Sequence, residues 1–113
     1  MVSIPDRDAL ILAQIIELIG HIDRRLDGMS EATFVSDHDE VDLTAYRLQV
    51  IGEATRKLSD PLKSRHPHID WSAIYAMRNI IAHDYGSIIP ARVWLVATGE
   101  LEPLAAICRR EQN

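Results

Sequence analysis

Apolar positions recur along most of the chain at the spacing of a helix, and nowhere at the alternation of a strand. With Leu12 set at zero and about 100° of turn per residue, Ile15, Ile16, Ile19, Ile22 and Leu26 fall in one sector, which Ile11 and Leu18 widen. The helix so predicted runs from Asp6 to Asp27, with acidic residues in its first turn, Arg24 and Arg25 near its end and Gly28 just beyond. Its apolar arc is wider than one contact needs, so cover is expected from the rest of the fold and from a second copy of the chain.

Ser30 to Val35 predicts a single turn of helix, and Asp39 to Leu58 a second long one with Leu43, Val50, Ile51, Ala54 and Leu58 clustered. Arg47 falls inside that apolar sector, where a charge is expected to have a partner. Asp60-Pro61 starts a short segment, and Asp70 is placed to cap a helix that begins at Trp71. Pro90 opens a final helix carrying Val93, Trp94, Val96 and Ala97, which Gly99 and Pro103 kink or divide before Arg110. The expectation is all-α: an antiparallel helical bundle in one domain spanning residues 1–113.

Composition agrees with that parse. A chain of 113 residues, 47% of them hydrophobic, has enough apolar surface for one core without staples. Its single cysteine, Cys108, excludes an intrachain disulfide and a Cys-rich zinc site, and a reducing cytoplasm is the expected location. Unbroken apolar runs are too short for a signal peptide or a membrane-spanning helix, so no membrane association is expected. The net charge of −5 should repel nucleic acid at long range and excludes a general nucleic-acid coat. The basic residues are ten arginines and only two lysines, however, and arginine's planar fork keeps local phosphate sites open.

The stretch Trp71 to Gly86, WSAIYAMRNIIAHDYG, concentrates polar groups where a helix continues. On an ideal helix Ile74, Met77 and Ile81 form a packed face, whereas Ser72, Tyr75, Asn79 and His83 form a polar stripe. Arg78 lies about 140° around the helix from His83, so both reach one ligand only through the long arginine side chain, through unwinding near His83, or across a dimer. An arginine, an amide and a histidine suit phosphodiester cleavage, since imidazole moves a proton near neutrality and guanidinium holds the developing charge. With RNA the 2′-hydroxyl is the nucleophile, so that neither a protein nucleophile nor a metal is obligatory.

Arg78-Asn79-Ile80-Ile81-Ala82-His83-Asp84-Tyr85 resembles the R-x4-H-x-Y pattern of HEPN-domain proteins, and of the HepT family of toxin–antitoxin ribonucleases in particular. The resemblance covers most of the chain: the first helix, Tyr46 to Ala54, Trp71, Val93-Trp94, and Leu101-Glu102-Pro103-Leu104. It implies an all-helical homodimer whose two motifs meet at a cleft, acting as a metal-independent endoribonuclease without a cofactor. It also implies a cognate minimal nucleotidyltransferase as antitoxin. Carried over by residue, Arg78 and His83 are the catalytic pair, Asn79 a polar helper, and Tyr85 the tyrosine that the partner modifies with AMP. Arg47 either lines the cleft and grips RNA phosphate or forms an interhelical ion pair, whereas Glu53 reads as structural.

Lesser candidates have plainer readings. His66-Pro67-His68 ahead of Asp70 could suggest a metal but reads as a polar loop, and no metal site is expected. Trp71 and Trp94 read as core rather than base-stacking residues, and Asp37-His38-Asp39-Glu40 as a solvated cluster that starts a helix. Asp84 could orient His83 but diverges from it on a helix, a secondary role. The rival function is a non-catalytic dimeric helical module that binds a nucleotide or a nucleotidyltransferase through the Arg78–His83 surface.

Overall fold

The computed structural model describes residues 4–79 and 88–112, which are helical with short connections and contain no strand. Helix α1 (Ile4–Leu26) ends where Gly28 takes a φ of +77°, the left-handed conformation that glycine adopts without strain. Next come α2 (Glu31–Ser36) and α3 (His38–Arg56). Ser30 caps α2 by accepting from the Thr33 N–H at 3.1 Å, and Asp37 caps α3 by accepting from that of Glu40 at 3.2 Å. Then follow α4 (Asp60–Ser64), α5 (Trp71–Tyr75), a 3₁₀ turn at Ala76–Arg78, α6 (Pro90–Gly99) and α7 (Glu102–Gln112). The final predicted helix is thus divided at Gly99 and Pro103 rather than kinked.

Helix α3 lies at the centre, in contact with α1, α2, α5, the 3₁₀ turn and α6, while α1 is also covered by α7. Leu12, Ile15, Ile19, Ile22 and Leu26 of α1 are buried with Val41, Ala45, Leu48, Ile51 and Ala54 of α3 and with Val93, Leu104 and Cys108. Fully buried Phe34 meets the Trp94 ring at 5.2 Å between centroids, and both tryptophans pack partly against this core.

The second helix departs from the expected pattern in one respect. Leu43 and Val50 are half-buried, do not join the core, and share the outward face of α3 with exposed Tyr46. The apolar positions of α3 therefore form two surfaces, an inner one through Leu48 and Ile51 and a half-buried outer one through Leu43 and Val50. Glu40 is a second correction: it is buried rather than solvated, accepting from Arg25 Nε through both carboxylate oxygens at 2.8 and 2.9 Å.

Two polar clasps close the end of the bundle. Buried Asp8 accepts from the Ser59 backbone N–H at 2.9 Å and from its hydroxyl at 2.5 Å, which fixes the N-cap of α4. Glu111 of α7 accepts from Arg65 Nη2 at 2.7 Å and meets buried His66 Nε2 at 2.6 Å. These partners hold the Glu111 carboxyl down at about 2, chiefly through the hydrogen bond from Arg65. His66 is thereby turned inward, as a structural loop residue. The Trp71 indole N–H then donates to the carbonyls of Lys63 and His66 at 3.3 and 3.2 Å and moors the start of α5. No group of three metal-ligating side chains occurs among the described residues, and no described helix is long and apolar enough to cross a membrane.

Candidate functional site

The site is built on a close approach of two backbones. Gly52 faces the segment after α5, where an added Cβ would stand 3.0 Å from the Arg78 nitrogen and 3.0 Å from the Tyr75 carbonyl oxygen. Only a residue without a side chain allows α3 this near, and the next residue, Glu53, is thereby brought to Arg78.

Arg78 Nε donates to Glu53 Oε1 at 2.5 Å and Nη1 donates to Asn79 Oδ1 at 3.1 Å. Its Cζ lies 5.4 Å from the centroid of the Tyr75 ring, a cation–π contact. Arg56 stands over the same ring at 5.9 Å, with its Nε 3.5 Å from Glu53 Oε2. One carboxylate between two guanidiniums lies below the usual carboxylate range, first through the Arg78 hydrogen bond and further through the charges of Arg78 and Arg56. The guanidinium is consequently fixed along its Nε edge and at Nη1, while its Nη2 end carries no hydrogen bond among the described residues. The Arg78 and Glu53 side chains are each 34% exposed.

The winding of this segment differs from the ideal helix expected across it. Residues Ala76–Arg78 form a 3₁₀ turn, in which side chains three apart eclipse one another. That geometry sets Arg78 beside Tyr75, and angles counted at a constant 100° per residue no longer apply beyond Tyr75. The inward face expected from Ile74 and Met77 is present: Met77 is buried and Ile74 packs on the core.

Of the expected site residues, the structure brings Arg78 and Asn79 together. His83, Asp84 and Tyr85 lie outside the described residues, as does Ile81. Arg47 is half-buried on another side of α3, against α1, and no carboxylate pairs with it among the described residues. The partner expected of its place in an apolar sector is therefore absent there, and its neighbours are other cations. The contributions of Gly52, Tyr75 and Arg56 were not apparent from the sequence. For Gly52 a signal existed, since glycine inside a helix costs about 1 kcal/mol against alanine and is explained by close backbone contact.

A family model described as Ribonuclease HepT-like matches residues 15–111. Among curated proteins, a chain from Caldanaerobacter subterraneus subsp. tengcongensis named "Putative RNase" is 26% identical over 93 residues, covering 82% of this chain and 83% of its own. A protein of the same name from Methanocaldococcus jannaschii is 28% identical over 98 residues, covering 86% and 81%. A second from that organism is 33% identical over 54 residues, about half of each chain (48% and 47%). No solved structure matches.

Proposed function

Because the chain belongs to the HepT-like ribonuclease family, we propose that it is an endoribonuclease that cleaves RNA with Arg78 and His83. The observation that carries this reading is the Arg78 guanidinium, braced by Glu53 and Asn79 on a partly exposed side chain. A phosphate held there gains charge as a phosphorane forms, and a cation fixed before the reaction costs no reorganisation during it.

The reaction needs few parts. His83 accepts the proton of the 2′-hydroxyl as that oxygen bonds to the adjacent phosphorus. The bond from phosphorus to the 5′-oxygen breaks, the leaving oxygen takes a proton from solvent water, and His83 returns its own to solvent. The products are a 2′,3′-cyclic phosphate and a 5′-hydroxyl. Asn79 orients Arg78, Asp84 supports His83, and Arg47 meets RNA phosphate outside the reacting centre. Since the substrate supplies its own nucleophile, the mechanism calls for no metal.

The assembly is a homodimer in which the outer stripe of α3, Leu43, Tyr46 and Val50, meets a second copy beside the Arg78 segment. Two sites then share one groove. The activity is that of a toxin, neutralised by a small nucleotidyltransferase that transfers AMP to Tyr85 and sets a bulky anion beside Arg78 and His83.

The test is incubation of the purified protein, without a partner, with RNA in EDTA. Cleavage to 2′,3′-cyclic phosphate ends that His83→Ala abolishes, in a variant of unchanged circular dichroism, is the expected result. Cleavage that requires added metal, or 3′-hydroxyl products, overturns the mechanism. Binding without turnover favours the non-catalytic module.

A further inference from the structure

Between the second half of α1 and the middle of α3 the surface sinks into a depression of about 240 Å³ lined by His21, Arg24, Arg25 and Arg47. No carboxylate lines it, on a chain whose net charge is −5. Each arginine is arranged differently. Arg25 is committed along one edge, where Nε donates to both oxygens of Glu40, while its Nη nitrogens make no hydrogen bond among the described residues.

Arg24 Nη2 donates to His21 Nδ1 at 2.8 Å, so the imidazole is the acceptor and carries its proton on Nε2, which faces Glu17 Oε1 at 3.5 Å. The Arg24 guanidinium lies back over Gly20, where an added Cβ would come 3.2 Å from Nη1. A glycine inside a 23-residue helix is thus the seat of this side chain. Arg47 closes the depression from α3, half-buried and without a hydrogen bond or ion pair among the described residues.

We propose that this depression binds a backbone phosphate of single-stranded RNA, as a subsite on another side of α3 from the Arg78 site; the proposal deepens the ribonuclease reading and rests on it. Guanidinium forks match phosphate oxygens in pairs, and three of them converge here with donors to spare. Arg47 stands six residues before Glu53 on α3, an axial offset of about 9 Å. About 120° of turn separates the two positions as well, so a strand that touches both follows the surface of α3 from one face to the next. His21, Arg24 and Arg25 place part of the RNA footprint on α1, a helix that the motif at Arg78 does not include.

The experiment is fluorescence anisotropy of a 2′-O-methyl oligoribonucleotide, which lacks the attacking hydroxyl, titrated with the full chain over a series of salt concentrations. In wild type the logarithm of the binding constant should fall linearly with that of salt. Arg24→Ala combined with Arg47→Ala should flatten that slope by about 0.7, the value of one lost contact to a single-strand phosphate, and weaken binding about tenfold. Gly20→Ala provides a variant whose folding is not in question, because alanine favours the helix; it should displace Arg24 and weaken binding in the same direction.

Variants with wild-type slope and affinity overturn the proposal, as does a wild-type protein that does not bind the oligonucleotide. Inorganic phosphate that protects the protein thermally through Arg24 and Arg47, with the oligonucleotide slope unmoved, assigns the depression to a free anion and also overturns it. If wild type binds and the variants do not, yet unmodified RNA is never cut, the subsite stands and the ribonuclease reading falls. If wild type cuts RNA while binding ignores the substitutions, only the subsite falls.

Discussion

A methyl group at position 52 has nowhere to go, because its neighbours are the backbone atoms of Arg78 and Tyr75 and not the ends of flexible side chains. Gly52→Ala should force α3 and the 3₁₀ turn apart, costing about 1–3 kcal/mol, the usual penalty for overpacking a tight contact. Urea unfolding measures that loss. Cleavage should drop further than stability alone explains, since the displaced atoms carry Arg78. A different residue-level prediction separates shape from charge. Arg78→Lys keeps the cation but offers no planar fork to Glu53 and Asn79, so it should lose nearly as much cleavage as Arg78→Ala. A lysine variant of near wild-type rate would mean that charge alone suffices at this position. Arg78 was legible in the sequence as a candidate. Its partner was not, because Glu53 is 25 residues away and only the packing of α3 on the turn makes them neighbours.

Local signals account for most elements: Asp6 and the Arg24-Arg25 pair at the two ends of α1, Asp37 and Asp70 as caps, and the break between Gly99 and Pro103. Periodicity failed where it assumed constant winding, at Ala76–Arg78, and where it could not tell which side of an apolar arc has neighbours, at Leu43 and Val50. A helical wheel records angles and contains no other helix. At this scale the joint between α7 and the loop after α4 carries a pH dependence. The Glu111 carboxyl titrates at about 2 in the fold and near its usual 4.5 when unfolded. The lowered value means that the stabilisation is complete above about 4.5 and is lost as pH falls towards 2. Unfolding midpoints of wild type should fall across that window. Glu111→Gln should be less stable at neutral pH, by about 2 kcal/mol for a lost charged hydrogen bond, and should show a flatter acid limb. An equal acid slope in both proteins would place the titration elsewhere.

For the molecule as a whole, the outer face of α3 is where the proposed second copy is tested. Tyr46 is 59% exposed between half-buried Leu43 and Val50, and the face leads along α3 to Glu53. Light scattering at micromolar concentration should give twice the chain mass, and Tyr46→Asp, which places a charge in an apolar contact, should give a monomer that has lost RNA cleavage but keeps its helical content. A wild-type monomer that still cuts RNA would show that each chain holds a complete site.

The order in which the elements meet has a consequence for synthesis. Helix α1 is made well before α7, which covers it, and Asp8 and Glu111 border the same hollow. A nascent chain stopped before Glu102 would already contain Gly52, Glu53 and Arg78, yet α1 would have no α7 to lie against. Until α7 leaves the ribosome, α1 exposes an apolar stripe. A frameshift or early stop ahead of Glu102 should therefore yield an insoluble or degraded fragment rather than a shortened fold.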